Sequence, residues 1–263
     1  MKKFGVISLM LSSMFFLVVS ADAAPVGNIA KPAMLKSVMK SDENAKVGGI
    51  VEGEFDFGKD RKIKDSDSDT EFRFLGSKIG AIFENKFIIY GLLGSASYEE
   101  AFTDEGSKIK IESKEDLAWG IGATAILYEK KLKDSILRFG IDGRWRTTDL
   151  DIDKVTIDNV VYTIPSGNVT NLSLEYSEWQ FAGAASLEWG KLVPYIGVKY
   201  SDIDATIKAT VLGTTYEDSS AKLDNHLGVF AGCDLLILDS MSVNIEGRFV
   251  DEEALTLGVA VRF

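Results

Sequence analysis

The chain closes on Glu253-Ala254-Leu255-Thr256-Leu257-Gly258-Val259-Ala260-Val261-Arg262-Phe263. Leu255, Leu257, Val259, Val261 and Phe263 fall on one parity. Ala254, Thr256, Gly258, Ala260 and Arg262 fall on the other. A β-strand points successive side chains to opposite faces, so this run has one apolar face and one small or charged face. A soluble enzyme has no need to end in mid-strand on an aromatic side chain. The ending reads instead as the last strand of a closed antiparallel barrel, pairing with the first.

The same period of two dominates the chain after Lys46. It predicts strands near 48–58, 70–83, 87–98, 115–128, 135–148, 172–189, 192–207, 222–236, 241–250 and 253–263. That is ten, an even number that leaves both termini at one end of a barrel, with eight and twelve as the alternative counts. Most of these runs exceed the roughly 5–6 residues of an ordinary globular strand. A tilted strand crossing a bilayer needs about 9–11. The links alternate too. Residues 84–86, 129–134, 190–191 and 237–240 are short, whereas 59–69, 99–114, 149–171 and 208–221 are long. Short turns at one end and long loops at the other mark transmembrane barrels; the short link at Asp251-Glu252 departs from this.

Parity says which face meets lipid. Leu117, Trp119, Ile121, Ala123, Ala125 and Leu127 oppose Ala118, Gly120, Gly122 and Thr124. Leu137, Phe139, Ile141 and Trp145 oppose Arg138, Asp142, Arg144 and Arg146. Trp179, Phe181, Ala185, Leu187 and Trp189 oppose Glu178, Gln180, Ser186 and Glu188. A soluble sandwich buries its apolar face and wets the other, whereas a membrane barrel turns the apolar face outward. Trp119, Trp145, Trp179 and Trp189 all share the apolar parity and lie near the ends of runs, where an aromatic girdle belongs. The second run fits less well. Phe72 and Phe74 are in phase with Lys78, which predicts a bulge or a misplaced strand start there.

The inward parity collects Glu52, Glu54, Asp56, Arg138, Asp142, Arg144, Arg146, Lys199, Glu246, Arg248 and Arg262. Two readings stay open for this lumen network. It is an internal set of salt bridges filling a narrow barrel, or a charged constriction for ions or small solutes. Barrels of about eight strands are just filled by side chains, and aqueous porins have 16–18, so ten lies near the filled end.

The N-terminus sets the compartment. Met1-Lys2-Lys3 is basic, Phe4 to Ser20 is apolar, and Ala21-Asp22-Ala23 fits a small-x-small cleavage site. Residues 1–23 therefore read as a signal peptide, with export to the outer membrane as the destination. Without Lys2, Lys3 and Asp22, the 29 basic and 40 acidic residues of the whole chain become 27 and 39, a net charge of −12. Such a surface repels nucleic acid. The one cysteine, Cys233, excludes an internal disulfide and a cysteine zinc cluster. It lies on the lipid-facing parity. No apolar stretch after the signal is long enough to cross a membrane as a helix, so strands must do so. Residues 24–47 lack alternation and show a weak helical spacing at Met34, Leu35, Val38 and Met39. They read as a leader, either a short helix inside or under the barrel or a disordered segment. The barrel itself is assigned to 48–263.

The strand pattern and the terminal Arg262-Phe263 resemble Gram-negative outer-membrane barrel proteins. That resemblance implies lipid as a partner and makes Phe263 an insertion signal, read by the barrel-assembly machinery through the last strand. More locally, Pro25-Val-Gly-Asn-Ile-Ala-Lys-Pro-Ala-Met-Leu35 resembles the segment after the signal in chlamydial major outer membrane proteins. Those porins are longer, richer in cysteine and have more strands.

Asp224-Asn225-His226 holds the only histidine. It resembles the Asp-x-His pair of omptin-type proteases, which implies His226 as a base oriented by Asp224. The second acidic pair of omptins, Asp-x-Asp, has no counterpart in Glu99–Asp116. Asp65 to Glu71 (DSDSDTE) begins like a calcium loop, but Thr70 and Gly76 stand where glycine and glutamate are required. Gly120 and Gly122 lack the helix and lysine of a phosphate loop. No catalytic residue, metal or cofactor is expected. The reading is a non-enzymatic barrel with acidic external loops and a structural or surface-interaction role, its surface ligand unspecified. The alternatives are a narrow porin-like channel and an omptin-like protease.

Overall fold

The computed structural model describes residues 25–37, 47–59, 69–104, 106–165, 169–218 and 225–263. The expected signal peptide lies outside them, as do Val38, Met39, Asp224 and most of the Asp65–Glu71 loop. Among the described residues the elements are one helical turn, α1 (Lys31–Met34), and thirteen strands: β1 (Val47–Lys59), β2 (Asp69–Phe83), β3 (Phe87–Asp104), β4 (Ser107–Ser113), β5 (Asp116–Lys131), β6 (Ile136–Ile157), β7 (Val160–Thr163), β8 (Val169–Glu188), β9 (Leu192–Val211), β10 (Thr214–Asp218), β11 (Leu227–Leu238), β12 (Met241–Phe249) and β13 (Glu253–Arg262).

Ten of these close into an antiparallel ring, β1-β2-β3-β5-β6-β8-β9-β11-β12-β13, and β13 returns to β1. The closing register sets Ile50 opposite Arg262 and Phe55 opposite Leu257. Phe263 extends the seam: its N–H donates to the Gly49 carbonyl at 2.9 Å, and the Gly49 N–H donates back at 2.7 Å. Closure leaves no unpaired edge, which hydrocarbon would not tolerate. The fold is therefore a ten-stranded antiparallel barrel of the transmembrane type.

The two ends differ. At the proximal end, where β1 starts and β13 stops, tight turns join the strands. In one, the three-residue link Glu84-Asn85-Lys86, Glu84 and Asn85 both take left-handed backbone (φ 51° and 57°) and the Lys86 N–H donates to the Phe83 carbonyl at 3.0 Å. At the distal end β3, β6, β8 and β9 run on past the ring. The stretches read as long loops are partly strand: β4 pairs with β3 and β6, β7 with β6, and β10 with β9. A wall thus rises over one half of the barrel, while β11, β12, β13 and β1 stop lower.

The predicted bulge in β2 is absent: its pairing with β1 and β3 runs without a register shift. Phe72 and Phe74 are inward and buried, in phase with Lys78. They break the expected chemistry because they lie where the lumen has turned apolar.

Candidate functional site

Every charged residue assigned to the lumen is inward and buried. The structure sorts them into layers. At the proximal rim Arg138 donates to Glu129 and Glu188, each at 2.6 Å. Higher up, Lys78 bridges Glu54 (3.1 Å) and Glu52 (3.6 Å). Asp142 accepts from Thr124 at 2.7 Å and Tyr90 at 2.9 Å, with Arg144 at 3.4 Å. Arg146 pairs with Glu178 at 3.0 Å. Arg248 donates to Asp56 and Glu252 at 2.7 Å and to Thr256 at 2.6 Å. Lys199 pairs with Glu252 and with Asp251 at 2.9 Å. Buried charges persist when they are paired, and each of these has an opposite charge beside it; Arg144 alone has its Asp142 ion pair without a hydrogen bond at any guanidinium nitrogen.

Several members escaped the sequence reading. Lys78 was masked by its phase with two phenylalanines. Asp234 sits on the inward parity of β11, accepting from Ser242 (3.1 Å) and Asn244 (3.2 Å). Asp251 and Glu252 looked like a plain loop, yet they fold inward over Lys199 and Arg248. One expected contact is overturned. The shared inward parity of Arg262 on the last strand and of Glu52 and Glu54 on the first predicts an ion pair across the closing seam. Arg262 instead donates to the carbonyls of Pro32 and Leu35, both at 2.7 Å, and to Asn85. The register puts Glu52 opposite Ala260, two residues above Arg262. Glu52 turns to Lys31 and Lys78.

Those carbonyls belong to a plug. Residues 25–35 occupy the lumen, with Val26, Ile29, Ala30, Met34 and Leu35 buried. The N–H groups of Val26 and Gly27 both donate to the Glu246 carboxylate, at 3.0 and 2.8 Å. Gly27 takes left-handed backbone (φ 70°), which brings these two donors onto one acid. Asn28 Oδ1 accepts from the Ala30 N–H at 2.9 Å and starts the turn that Pro32 continues. Lys31 reaches Glu52. At the proximal mouth Lys36 N–H meets the Asp239 carbonyl at 2.7 Å, and its ammonium meets the Asp239 carboxylate at 2.8 Å. That contact holds the exposed Asp239 carboxyl below, and the Lys36 ammonium above, their ordinary ranges. Pro25 to Leu35 is therefore the part of the leader that fills the barrel.

Large rings complete the filling. Tyr90 lies over Gly122 and Phe230 over Gly197, where any added Cβ would meet the ring at 2.4 and 2.3 Å. Above the ionic layers the lumen turns apolar. Phe72, Leu150, Ile152, Leu172, Leu174, Tyr176, Ile203 and Ile207 belong to one buried cluster. Phe72 and Tyr176, from opposite walls, meet at 5.9 Å between ring centres, and Arg146 covers Phe72 at 5.0 Å.

On the outside Trp119, Trp145 and Trp179 lie at one level near the distal end. Trp119 and Trp145 meet edge to face at 5.1 Å; Trp179 stacks on Tyr200 at 5.4 Å, and Tyr200 on His226 at 5.3 Å. Trp189 marks the proximal level, bridging to Leu192 across its turn. Between the levels the exposed side chains are apolar, among them Ile121, Ile141, Phe181, Ile196 and Val198. Above the distal level the outer face carries Asp149, Glu175 and Asp204, with Asp202 directly beside Trp179, and a groove of about 660 Å³ over Trp119 and Trp145 is lined by Asp116, Asp149, Glu175 and Asp204. Asp149 stands directly opposite Glu175. Burial and the neighbouring Glu175 and Asp151 carboxylates raise its pKa.

His226 lies flat on Tyr200, with Nδ1 at 3.1 Å from the Ser201 carbonyl and 3.5 Å from Asp202. Its expected partner Asp224 lies outside the described residues. Among the described residues no group of histidine, cysteine or carboxylate side chains is arranged to hold a metal ion. Cys233 is half-buried on the outward parity of β11.

No family model and no curated protein matches the chain. Solved structures do resemble it. The outer membrane protease OmpT of Escherichia coli is 9% identical over 87% of this chain and 100% of that one, with a TM-score of 0.49. Ail, the attachment invasion locus protein of Yersinia pestis, is 9% identical over 82% of this chain and 98% of its own, at 0.37. The COG4313 outer membrane channel of Pseudomonas putida F1 is 7% identical over 85% and 100%, at 0.36. All are barrels of the outer membrane. They differ among themselves in activity, so the likeness is one of architecture.

Proposed function

We propose that the chain is a closed, non-conducting, non-enzymatic barrel of the bacterial outer membrane that anchors an acidic wall at the cell surface. The carrying observation is closure at two successive levels: a plugged ionic lumen, then the apolar cluster bridged by Phe72 and Tyr176. A conducting barrel needs a continuous wet path, and two dry or occupied layers in series oppose one. The wall supports a surface role, because its strands carry carboxylates outward above the belt and end in the hairpins at Asp158-Asn159 and Leu212-Gly213. Placing His226 on the outward aromatic ribbon, with Tyr200 as its floor, favours an interfacial aromatic over a cleft base.

The test is conductance of the purified, refolded full chain in a planar bilayer. The proposal expects a silent membrane at protein densities where insertion is verified. Stable, reproducible conductance steps would replace it with the narrow-channel reading.

A further inference from the structure

The seam where β13 returns to β1 lies on the low side of the barrel. There β11, β12 and β13 have 12, 9 and 10 residues, against 22, 20 and 20 for β6, β8 and β9 on the side of the wall. The distal half of the seam carries its own inward ties. Thr256 donates directly across it to Asp56 at 2.7 Å, and Arg248 reaches the same carboxylate from β12 at 2.7 Å. The proximal half has mismatched pairs instead. Ile50 stands opposite Arg262, Glu52 opposite Ala260 and Glu54 opposite Gly258, so none of these pairs can bond side chain to side chain. Glu54 turns away to Lys78 on β2.

The plug supplies what those pairs lack. On the β13 side, Arg262 donates to the Pro32 and Leu35 carbonyls, Glu246 of β12 accepts from Val26 and Gly27, and Asp239 in the β11–β12 turn holds Lys36. On the β1 side, Glu52 holds Lys31, the neighbour of Pro32 in the chain. Ala30, Met34 and Leu35 share one buried cluster with Ile50 of β1 and Ala260 of β13. All four residues of the two most proximal mismatched pairs therefore meet the plug. Arg262 also reaches Asn85, beyond β1 in the β2–β3 turn. Against β8, β9 and β11 the plug packs Val26 and Ile29, in an apolar cluster with Ala182, Ala184, Tyr195 and Phe230.

We propose that the plug is a clasp over the proximal half of the closing seam, joining β13 to β1 through the lumen and restraining that seam from opening. Parting the two strands there means taking Lys31 from Glu52, or the plug's backbone from Arg262 and Glu246. Either leaves a buried charge without its partner, which is strongly unfavourable. The clasp depends on the ring and the plug contacts alone, and it serves a conducting lumen as well as a silent one.

Amide hydrogen exchange of the full chain in lipid vesicles, read residue by residue, tests this. Gly49 and Phe263 each donate an N–H to the other across the seam, and strand alternation directs the N–H groups of Val51 and Val261 across it as well. Gly183 and Ala185 of β8 are the reference, on the wall that meets the plug without an ion pair. Lys31→Met cuts the β1 end of the clasp. Exchange is expected to rise about tenfold or more at the four seam amides and to stay within about twofold at Gly183 and Ala185, as local opening of one seam requires. Leu174→Ala lowers stability from the wall core without touching the plug, and is expected to leave the ratio of seam to β8 exchange unchanged. Should Lys31→Met fail to assemble, Lys31→Gln, which keeps a donor at that position, is read in the same way. Equal acceleration at the seam and in β8, an unchanged seam, or a seam-selective rise in Leu174→Ala would overturn the proposal. Conductance is read separately, so a conducting parent would sink the closed-barrel reading and leave the clasp to be decided by exchange.

Discussion

Strand β8 passes through two environments without changing its backbone. Proximal to Trp179 it turns Phe181 outward and Gln180 and Ser186 inward; distal to Tyr176 it turns Glu175 outward and Leu174 and Leu172 inward. Strand β9 does the same, from Val198 outside and Lys199 inside to Asp204 outside and Ile203 and Ile207 inside. Parity is conserved across the boundary, and the solvent on the outer face is not. In the belt, lipid demands apolar side chains outside and leaves the lumen to paired charges. In the wall, water allows carboxylates outside and the hydrophobic effect fills the interior. One molecule thus carries a membrane barrel and a soluble-style core on the same strands.

The comparison can be broken at its ionic half. Arg248 is wholly buried and ties Asp56, Glu252 and Thr256 together. Arg248→Met strands these acids and is expected to cost about 3–5 kcal/mol, measured as a shift in the urea midpoint in lipid vesicles. Adding Asp56→Asn should recover part of that loss; strict additivity would mean the pair is not coupled.

In the apolar half, Leu174→Ala removes a buried side chain from the wall core, with an expected loss of about 2–5 kcal/mol by the same assay. The two outer faces are contrasted by Phe181→Arg and Thr206→Arg. The first puts a charge in the lipid belt, at about 2–4 kcal/mol. The second puts one in water, within about 0.5 kcal/mol of neutral. Equal losses would erase the boundary at Trp179 and Tyr200.

The closed ring was legible because five lipid-facing positions in the last strand, and four tryptophans elsewhere, obey a rule that depends only on period two. What the sequence hid lies where that rule changes sign. Phe72 and Phe74 looked like a bulge because they were judged by belt chemistry in a part of the strand that has left the belt. The same error read β4 and β10 as loops, since Lys108, Lys110 and Glu217 face water on the outside of a wall; β7, which is only Val160–Thr163, is uncharged and too short to show a period of its own. For the leader the sequence left two readings open, a short helix inside or under the barrel and a disordered segment, and it could not choose between them for a different reason. Its contacts, Val26 and Gly27 with Glu246 and Pro32 and Leu35 with Arg262, join residues some two hundred positions apart and use backbone groups that no side-chain pattern reports. Arg262 illustrates the consequence, because its real acceptors are carbonyls of the leader.

The smallest effect concerns the water side of the wall. Asp149 faces Glu175 directly across β6 and β8, and like charges so placed cost about 0.2–1 kcal/mol. Asp149→Asn is expected to raise the unfolding midpoint by about that much at neutral pH. The sign follows from the raised pKa: protonation is easier in the folded chain, so this repulsion is relieved as the pH falls through the folded value toward the ordinary carboxylate range. The advantage of the variant should therefore shrink on acidification. An advantage that grows would reverse the assignment.

The inversion itself is read most directly by site-directed spin labels placed singly along the outward face of β8, at Glu175, Ser177, Trp179, Phe181, Gly183 and Ala185, in reconstituted vesicles. Collisional access to oxygen reports lipid, and access to a water-soluble nickel chelate reports solvent. The account predicts nickel access at Glu175 and Ser177, oxygen access from Phe181 to Ala185, and a crossover at Trp179. Lipid-like access continuing through Ser177 to Glu175 would contradict it, because the wall would then be membrane and its interior core would have no reason to exist.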